Sequence, residues 1–268
     1  MRNHNTEGQP KRRRIEREFG VPFPGEIVDE SRWTKTALKE MSGGVLLNWS
    51  EAFRRDAPKV LDLGCGNGRH LIGSAVWRPD HDHLGVDILP VVIRYATRRA
   101  NQRGLTNIRF AVIGGRELLG AHIEPHTITE IHCYHPQPYY TPEEYPKRLI
   151  NPEFLALVYR SLIPSGQFFV QTDNPSYWRY MQTVIPHFFE FEDRDTCWPD
   201  APKGRTRREI IALRHGLPIY RGIGKPKGTL HDREMARLVA TLPAPKFESD
   251  RLSRQLVDWD DEYGRLGR

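Results

Sequence analysis

Short apolar runs, each closed by glycine, proline or small polar residues, alternate along this chain with longer stretches whose apolar positions recur at helical spacing. That alternation predicts a doubly wound α/β sheet. Val60, Leu61 and Leu63 form the first buried strand, and His83 to Val86 the second. Asn107 to Val112, Thr127 to Tyr134, Gln167 to Gln171 and Phe188 to Phe191 continue the series. Arg207 to Leu213 reads as a last, partly apolar strand behind a basic loop. Between the strands, helices are predicted from Arg69 or His70, over Val91 to Gln102 with its stop at Gly104, over Asn151 to Leu162 with Pro152 in the first turn, and over Tyr177 to Ile185. Two further helices, Ser31 to Met41 and around Leu46 to Phe53, lead into the sheet. Beyond Tyr220 the glycine-rich GIGKPKG reads as a flexible linker, followed by a helix over His231 to Leu242 and a charged one from Ser249 to about Tyr263. The resulting organisation is a basic mobile arm over residues 1–20, with Lys11 to Arg14 and Arg17, one domain over 21–220, and a linker with a helical extension over 221–268.

The most informative stretch is KVLDLGCGNG, Lys59 to Gly68. Gly64, Gly66 and Gly68 allow a sharp strand-to-helix turn and let a ligand lie against the backbone near a helix N-terminus. The spacing is G-x-G-x-G and not the dinucleotide G-x-G-x-x-G, and Asp62 at the strand end would repel a pyrophosphate. It would attract an ammonium or a sulfonium. The second strand ends in Asp87, where a doubly wound fold holds ribose hydroxyls. Together the two acids point to a cationic, nucleoside-like ligand. The fourth strand runs into His135-Pro136-Gln137-Pro138-Tyr139-Tyr140, at the carboxyl edge where open α/β sheets bind their ligands. His132, Cys133 and His135 match no zinc spacing, and alternate strand residues face opposite ways, so no metal site is predicted.

Charge adds a partner class. The chain of 268 residues carries 40 Lys and Arg against 34 Asp and Glu, a formal charge of +6, with arginines clustered near both ends and around Arg205 to Arg208. A polyanion such as RNA fits that distribution, and a solvated basic surface fits it equally. The 3 cysteines are far apart and follow no secretory h-region, which points to a reducing cytoplasm. No apolar run approaches the ~20 residues of a membrane span.

D-x-G-x-G-x-G followed by a strand ending in Asp87 resembles the class I S-adenosylmethionine-dependent methyltransferases, whose fold is a Rossmann-like, mostly parallel seven-stranded sheet with helices on both faces. The resemblance narrows between His135 and Tyr180, which looks like the tRNA (guanine-N7-)-methyltransferase family. HPQPYY at 135–140 is similar to that family's F-P-D-P-W loop, Lys147 to Phe154 to its K-R-R-L-x-x-P-x-F, Thr172-Asp173 to its T-D, and Thr206 to Glu209 to its T-x-x-E. The resemblance implies S-adenosylmethionine at Asp62, Gly64, Gly66, Gly68, Asp87, Gly114 and Gln137, and catalytic roles for Asp173, Glu209 and Gln137. It implies tRNA contacts from Tyr139, Lys147, Arg148, Asp173, Thr206, Arg207, Arg208 and Glu209, with the variable-loop guanine as target. Gln137 stands where the family has aspartate and Tyr139 where it has tryptophan, and Gly114 replaces the usual acid beside the adenine. A related enzyme with another RNA or small-molecule target, and an RNA-binding relative without turnover, stay open at this point, as do monomer and homodimer.

Overall fold

The computed structural model describes residues 15–38, 41, 44–228 and 230–249. The apolar runs fold as strands β1 (Lys59–Leu63), β2 (Asp82–Asp87), β3 (Ile108–Val112), β4 (Ile128–Tyr134), β5 (Leu162–Thr172), β6 (Phe189–Asp193) and β7 (Tyr220–Pro226). The helices are α1 (Trp49–Phe53), α2 (Arg69–Trp77), α3 (Pro90–Gln102), α4 (Pro152–Ser161), α5 (Pro175–Val184), α6 (Arg207–Arg214) and α7 (Asp232–Thr241). The strands form one 7-stranded sheet in the order β3-β2-β1-β4-β5-β7-β6. β3 through β5 are parallel neighbours, whereas β7 is inserted antiparallel between β5 and β6. The chain reverses its direction of build at β1, so the carboxyl ends of β1 and β4 flank the crevice where such sheets bind ligands.

The parallel strands are buried on both faces, which is why they read as continuous apolar runs and not as alternation. Leu61, Leu63, Leu84, Val86, Ile131, Phe168 and Val170 lie in the main core, and a second cluster around Ile72, Ile93, Ala96 and Phe110 seals α2 and α3 to the sheet. Asn151 and Asn174 cap α4 and α5 by accepting from Phe154 N and Tyr177 N, and a proline follows each cap in the first turn.

Four expectations change. Ser31 to Met41 is not a helix among its described residues: a 3-10 turn at Glu30–Arg32 leads into an extended segment whose Thr36 and Leu38 backbones bond Phe110 and cover the free edge of β3. Covering an edge removes a row of unpaired backbone groups. Arg207 to Leu213 is helix α6 and not a strand. Thr206 accepts from Glu209 N at 3.0 Å and Glu209 accepts from Arg205 N at 2.8 Å, so T-x-x-E acts here as a helix-starting signal.

GIGKPKG is not a linker. Its first five residues, Gly222 to Pro226, belong to β7, and Gly222 and Gly224 serve close approach. A Cβ on Gly224 would lie 2.9 Å from Phe189 Cβ, and one on Gly222 would enter the ring of Phe191. The sheet therefore continues to Pro226, beyond the boundary expected at 220.

The mobile arm expected over residues 1–20 is ordered at its described end. Residues 1–14 lie outside the described residues, but Arg17–Glu18 and Val21–Pro22 form a two-stranded hairpin. Glu18 is buried, accepting from Asn67 Nδ2 at 2.6 Å and facing Arg69 at 3.4 Å, Arg99 at 3.7 Å and Arg207 at 3.5 Å. The expected helix from Ser249 to Tyr263 lies almost wholly outside the described residues. Among the described residues, no helix is long and apolar enough to cross a membrane.

Replacing Gly222 by alanine is expected to cost about 1–3 kcal/mol of stability, because the new methyl group must displace the Phe191 ring within a packed sheet. Lys225→Ala on the same strand, with an exposed side chain, is expected to stay within about 0.5 kcal/mol. Thermal or denaturant unfolding of the two variants measures this, and equal stabilities would contradict the packing role.

Candidate active site

At the end of β1 the chain turns through Gly64, Gly66 and Gly68, with φ of 80°, 52° and 75°. Only residues without a Cβ reach such angles cheaply. Gly64 N and Cys65 N both donate to Val86 O at 2.9 Å, which ties the turn to β2. A Cβ on Gly64 or Gly66 would project into open space, so these two form the floor of a cradle. Gly68 differs from its expected role. Its Cβ would meet Ala96 at 2.9 Å and Phe110 at 3.1 Å, and its N–H bonds Cys65 O, so it permits tight packing of α2 and does not face a ligand.

Asp87 accepts from Gly66 N at 3.2 Å and from Leu89 N at 2.9 Å, which fixes its carboxylate beside the cradle. A carboxylate offers about four acceptor sites, and two stay available. Asp62 is 2% exposed. Burial pushes its carboxyl up to about 8, Asp87 adds to the shift and Arg205 opposes it. A buried acid beside a second acid favours a cationic ligand group. Gly114 lies across from Ile88, 3.7 Å from its Cγ2 by the same construction, on the border of the cradle.

The second half of the site stands at the ends of β4 and β5. Tyr134 and Gln171 are paired across these strands, and His135 N donates to Gln171 O at 2.6 Å as the loop departs. His135 and Tyr139 take left-handed backbone angles, φ 50° and 40°, which turn the loop sharply. His135 Nδ1 lies 2.7 Å from Asp173 Oδ1, and Arg208 reaches both oxygens of Asp173 at 3.0 and 2.9 Å. Burial alone would raise the Asp173 carboxyl, but His135 and then Arg208 outweigh it and hold it below the usual carboxylate range. Gln137 is exposed in this loop, and Lys147 Nζ stands 5.7 Å from the centre of the Tyr139 ring.

Three residues expected at the substrate serve the framework. Glu209 is fully buried and paired with Arg221 as well as with Arg205 N. It locks α6 onto β7 and does not reach a guanine. Arg148 is fully buried as well, donating to the carbonyls of Pro138, Tyr139 and Pro245 between the rings of Tyr145 and Phe247. It shapes the loop from within and holds no phosphate. Thr206 caps α6. Arg207 is divided between Glu18 and the Phe19 ring, while Lys147 is exposed beside Glu144.

Arg205, the start of the basic cluster 205–208, lies 4.2 Å over Trp198, pairs with Asp200 and donates to the Tyr134 hydroxyl at 2.7 Å. Behind it runs a polar chain that starts buried and ends on a partly exposed arginine, Tyr134 to His132 at 2.9 Å, His132 to Glu130 at 3.1 Å and Glu130 to Arg78 at 2.7 Å. His132 thus faces Glu130, Cys133 lies in the core and His135 faces Asp173. Among the described residues, no group of three or more His, Cys, Asp or Glu is placed to hold a metal. His135, Gln171 and Trp198 are the site residues that motif reading missed. A glutamine closing the apolar strand QFFVQ was the available signal, because a buried amide needs partners.

A sheet with this strand order, carrying an acid and a glycine turn at β1 and a second acid at β2, defines the class I methyltransferase fold. The 16S rRNA methyltransferase KamB shares it, with a TM-score of 0.53 at 14% identity over 72% of this chain and 99% of that one. Residues 56–221 match the family model described as "Putative methyltransferase". Similar proteins include the tRNA (guanine-N(7)-)-methyltransferases of Halorhodospira halophila, 29% identical over 79% of this chain and 94% of that protein, and of Alkalilimnicola ehrlichii, 27% identical over 80% and 92%. The chain belongs to this methyltransferase family, the one its sequence resembles.

Asp62→Asn separates stability from binding. A carboxyl raised from its ordinary value to about 8 keeps its proton longer in the folded state than in the unfolded chain, so its ionisation destabilises the fold increasingly as pH rises through that window. Asparagine escapes that cost. Without ligand the variant is expected to melt a few degrees higher than the parent at pH 9 and nearly equal to it at pH 3, below the ordinary carboxylate value, with cofactor affinity reduced by about tenfold or more. Calorimetry at both pH values tests this, and a lower melting temperature at pH 9 would contradict the burial argument.

Proposed function

We propose that this chain transfers the methyl group of S-adenosylmethionine to N7 of a guanine in tRNA, in the cytoplasm. The observation that carries the reading is the adjacency of two acid-lined sites, Asp62 and Asp87 beside an open glycine turn and Asp173 beyond the neighbouring strands, with cationic side chains around the second. The names of the similar proteins support the same reaction.

The cradle fits the cofactor. Gly64 and Gly66 leave its floor open to a bulky ligand, Asp87 has acceptor sites left for ribose hydroxyls, and Asp62 suits the ammonium of the methionine part. Gly114 offers backbone groups at the adenine edge. S-adenosylmethionine supplies an electrophilic methyl, which N7 takes with its in-plane lone pair while the bonding pair returns to sulfur. No proton moves, so the enzyme's work is alignment and charge stabilisation.

Asp173 is the residue for that work. It is ionised, faces the loop after β4, and can accept from the N1–H and exocyclic amine of guanine while offsetting the positive charge that the ring acquires. Tyr139 stacks on the base, and the Gln137 amide supplies a neutral contact where a carboxylate would supply charge. Lys147, Arg207 and Arg208 take phosphates, so affinity for tRNA falls with salt. The catalytic domain extends through β7.

Incubation of purified protein with labelled S-adenosylmethionine and unmodified tRNA, followed by nucleoside analysis, is expected to yield 7-methylguanosine. Cofactor binding without that nucleoside would contradict the proposed reaction.

A further inference from the structure

Asp173 is held by more than Arg208. The indole N–H of Trp198 can only donate, and it donates to Gln171 Oε1 at 2.6 Å. That contact fixes which way the Gln171 amide points. Its nitrogen then lies 2.9 Å from His135 Nε2, and because an amide NH2 only donates, His135 Nε2 must accept. The ring proton is therefore on Nδ1, 2.7 Å from Asp173 Oδ1, and is donated to the carboxylate. Every group in this relay is buried: Gln171 is 0% exposed and Trp198 2%, with the side chains of His135 and Asp173 at 4% and 3%.

The guanidinium of Arg208 is the more accessible partner, its side chain 18% exposed at the start of α6. Three N–H donors already occupy the carboxylate, two from Arg208 and one from His135. A guanine edge bringing two more must displace at least one of them, given about four acceptor sites. Arg208 can exchange Asp173 for a phosphate of the incoming RNA. His135 has no such exchange, because Gln171 and Trp198 hold it from behind.

We propose that His135 is the positioning residue of the target-base site: a neutral imidazole, locked by Trp198 and Gln171 with its proton on Nδ1, that keeps the Asp173 carboxylate aimed when Arg208 lets go. The proposal rests on the reading of Asp173 as the guanine acceptor. His135 touches no reacting atom. It acts through Asp173, so its loss lowers kcat and leaves KM for tRNA nearly unchanged, because the phosphate contacts remain.

Two amide substitutions separate the ring nitrogens. In His135→Asn the new amide nitrogen falls near the position of Nδ1 and restores the donor, whereas in His135→Gln it falls near Nε2 and does not. His135→Asn is expected to retain most of kcat, and His135→Gln to lose about 10- to 100-fold in kcat. Melting temperatures of both variants identify any loss through unfolding. Nitrogen NMR of the parent protein, labelled at histidine, reads the tautomer without reference to activity: the proton is expected on Nδ1 of His135, and a proton on Nε2 would overturn the proposal even if both variants failed to fold. Asp173→Asn runs in parallel. If it loses activity while His135→Gln keeps it, the positioning role is wrong and the Asp173 reading stands; if Asp173→Asn is fully active, the Asp173 reading fails and takes the proposal with it.

Discussion

The carboxylate of Asp62 sits at the carboxyl end of a strand buried on both faces, beside a second acid and under a turn made of glycines. A charge in that position is unfavourable, and on the proposed reading the cation of the ligand relieves it. Much of the surrounding architecture follows from keeping that place open and acidic. Gly64 and Gly66 leave room above it, Gly68 draws α2 against Ala96 and Phe110, and the Glu18 hairpin braces the turn through Asn67 and Arg69. Arginines that would neutralise the cradle are directed elsewhere, Arg69 to Glu18 and Arg205 to Asp200 and Tyr134.

The same pairing of charges shapes the neighbouring half of the site. Glu209 meets Arg221, Arg148 meets three carbonyls, and each buried ion is paired or hydrogen bonded, as a low-dielectric interior requires. These contacts do not add much net stability. They fix where α6 and the loop after β4 stand, and hence where Asp173 and Arg208 meet. Arg208, which reaches both oxygens of Asp173, is itself partly open to solvent, and on the proposed reading this lets Asp173 change partners when RNA arrives.

How much of this was legible in the sequence depended on how local the physics was. Asp62, Asp87 and the glycines were readable because a single turn contains both the backbone demand and the chemistry. Gly222 and Gly224 were misread as a linker because the reason for them, the Phe191 and Phe189 rings, lies on another strand. Thr206 and Glu209 were assigned to substrate although T-x-x-E also starts helices, and here the capping geometry prevails. Arg148 carried a motif match and an exposed-looking neighbourhood of polar residues, yet its partners Pro245 and Phe247 come from about a hundred residues away. His135 was read as the start of the HPQPYY loop and weighed as a metal ligand but given no role towards Asp173, since nothing near it in the chain announces Gln171 or Trp198.

Burial raises the Asp62 carboxyl to about 8, and on the proposed reading the cradle takes a cation there. Titration calorimetry of S-adenosylmethionine binding at pH 6.5, repeated in buffers of different ionisation enthalpy, counts the protons exchanged. With the Asp62 carboxyl at about 8 in the free protein, binding of the ammonium should release close to one proton per cofactor at pH 6.5 and progressively fewer as the pH rises past 8. Binding with no proton release at pH 6.5 would contradict this, because Asp62 would then already be ionised without its ligand.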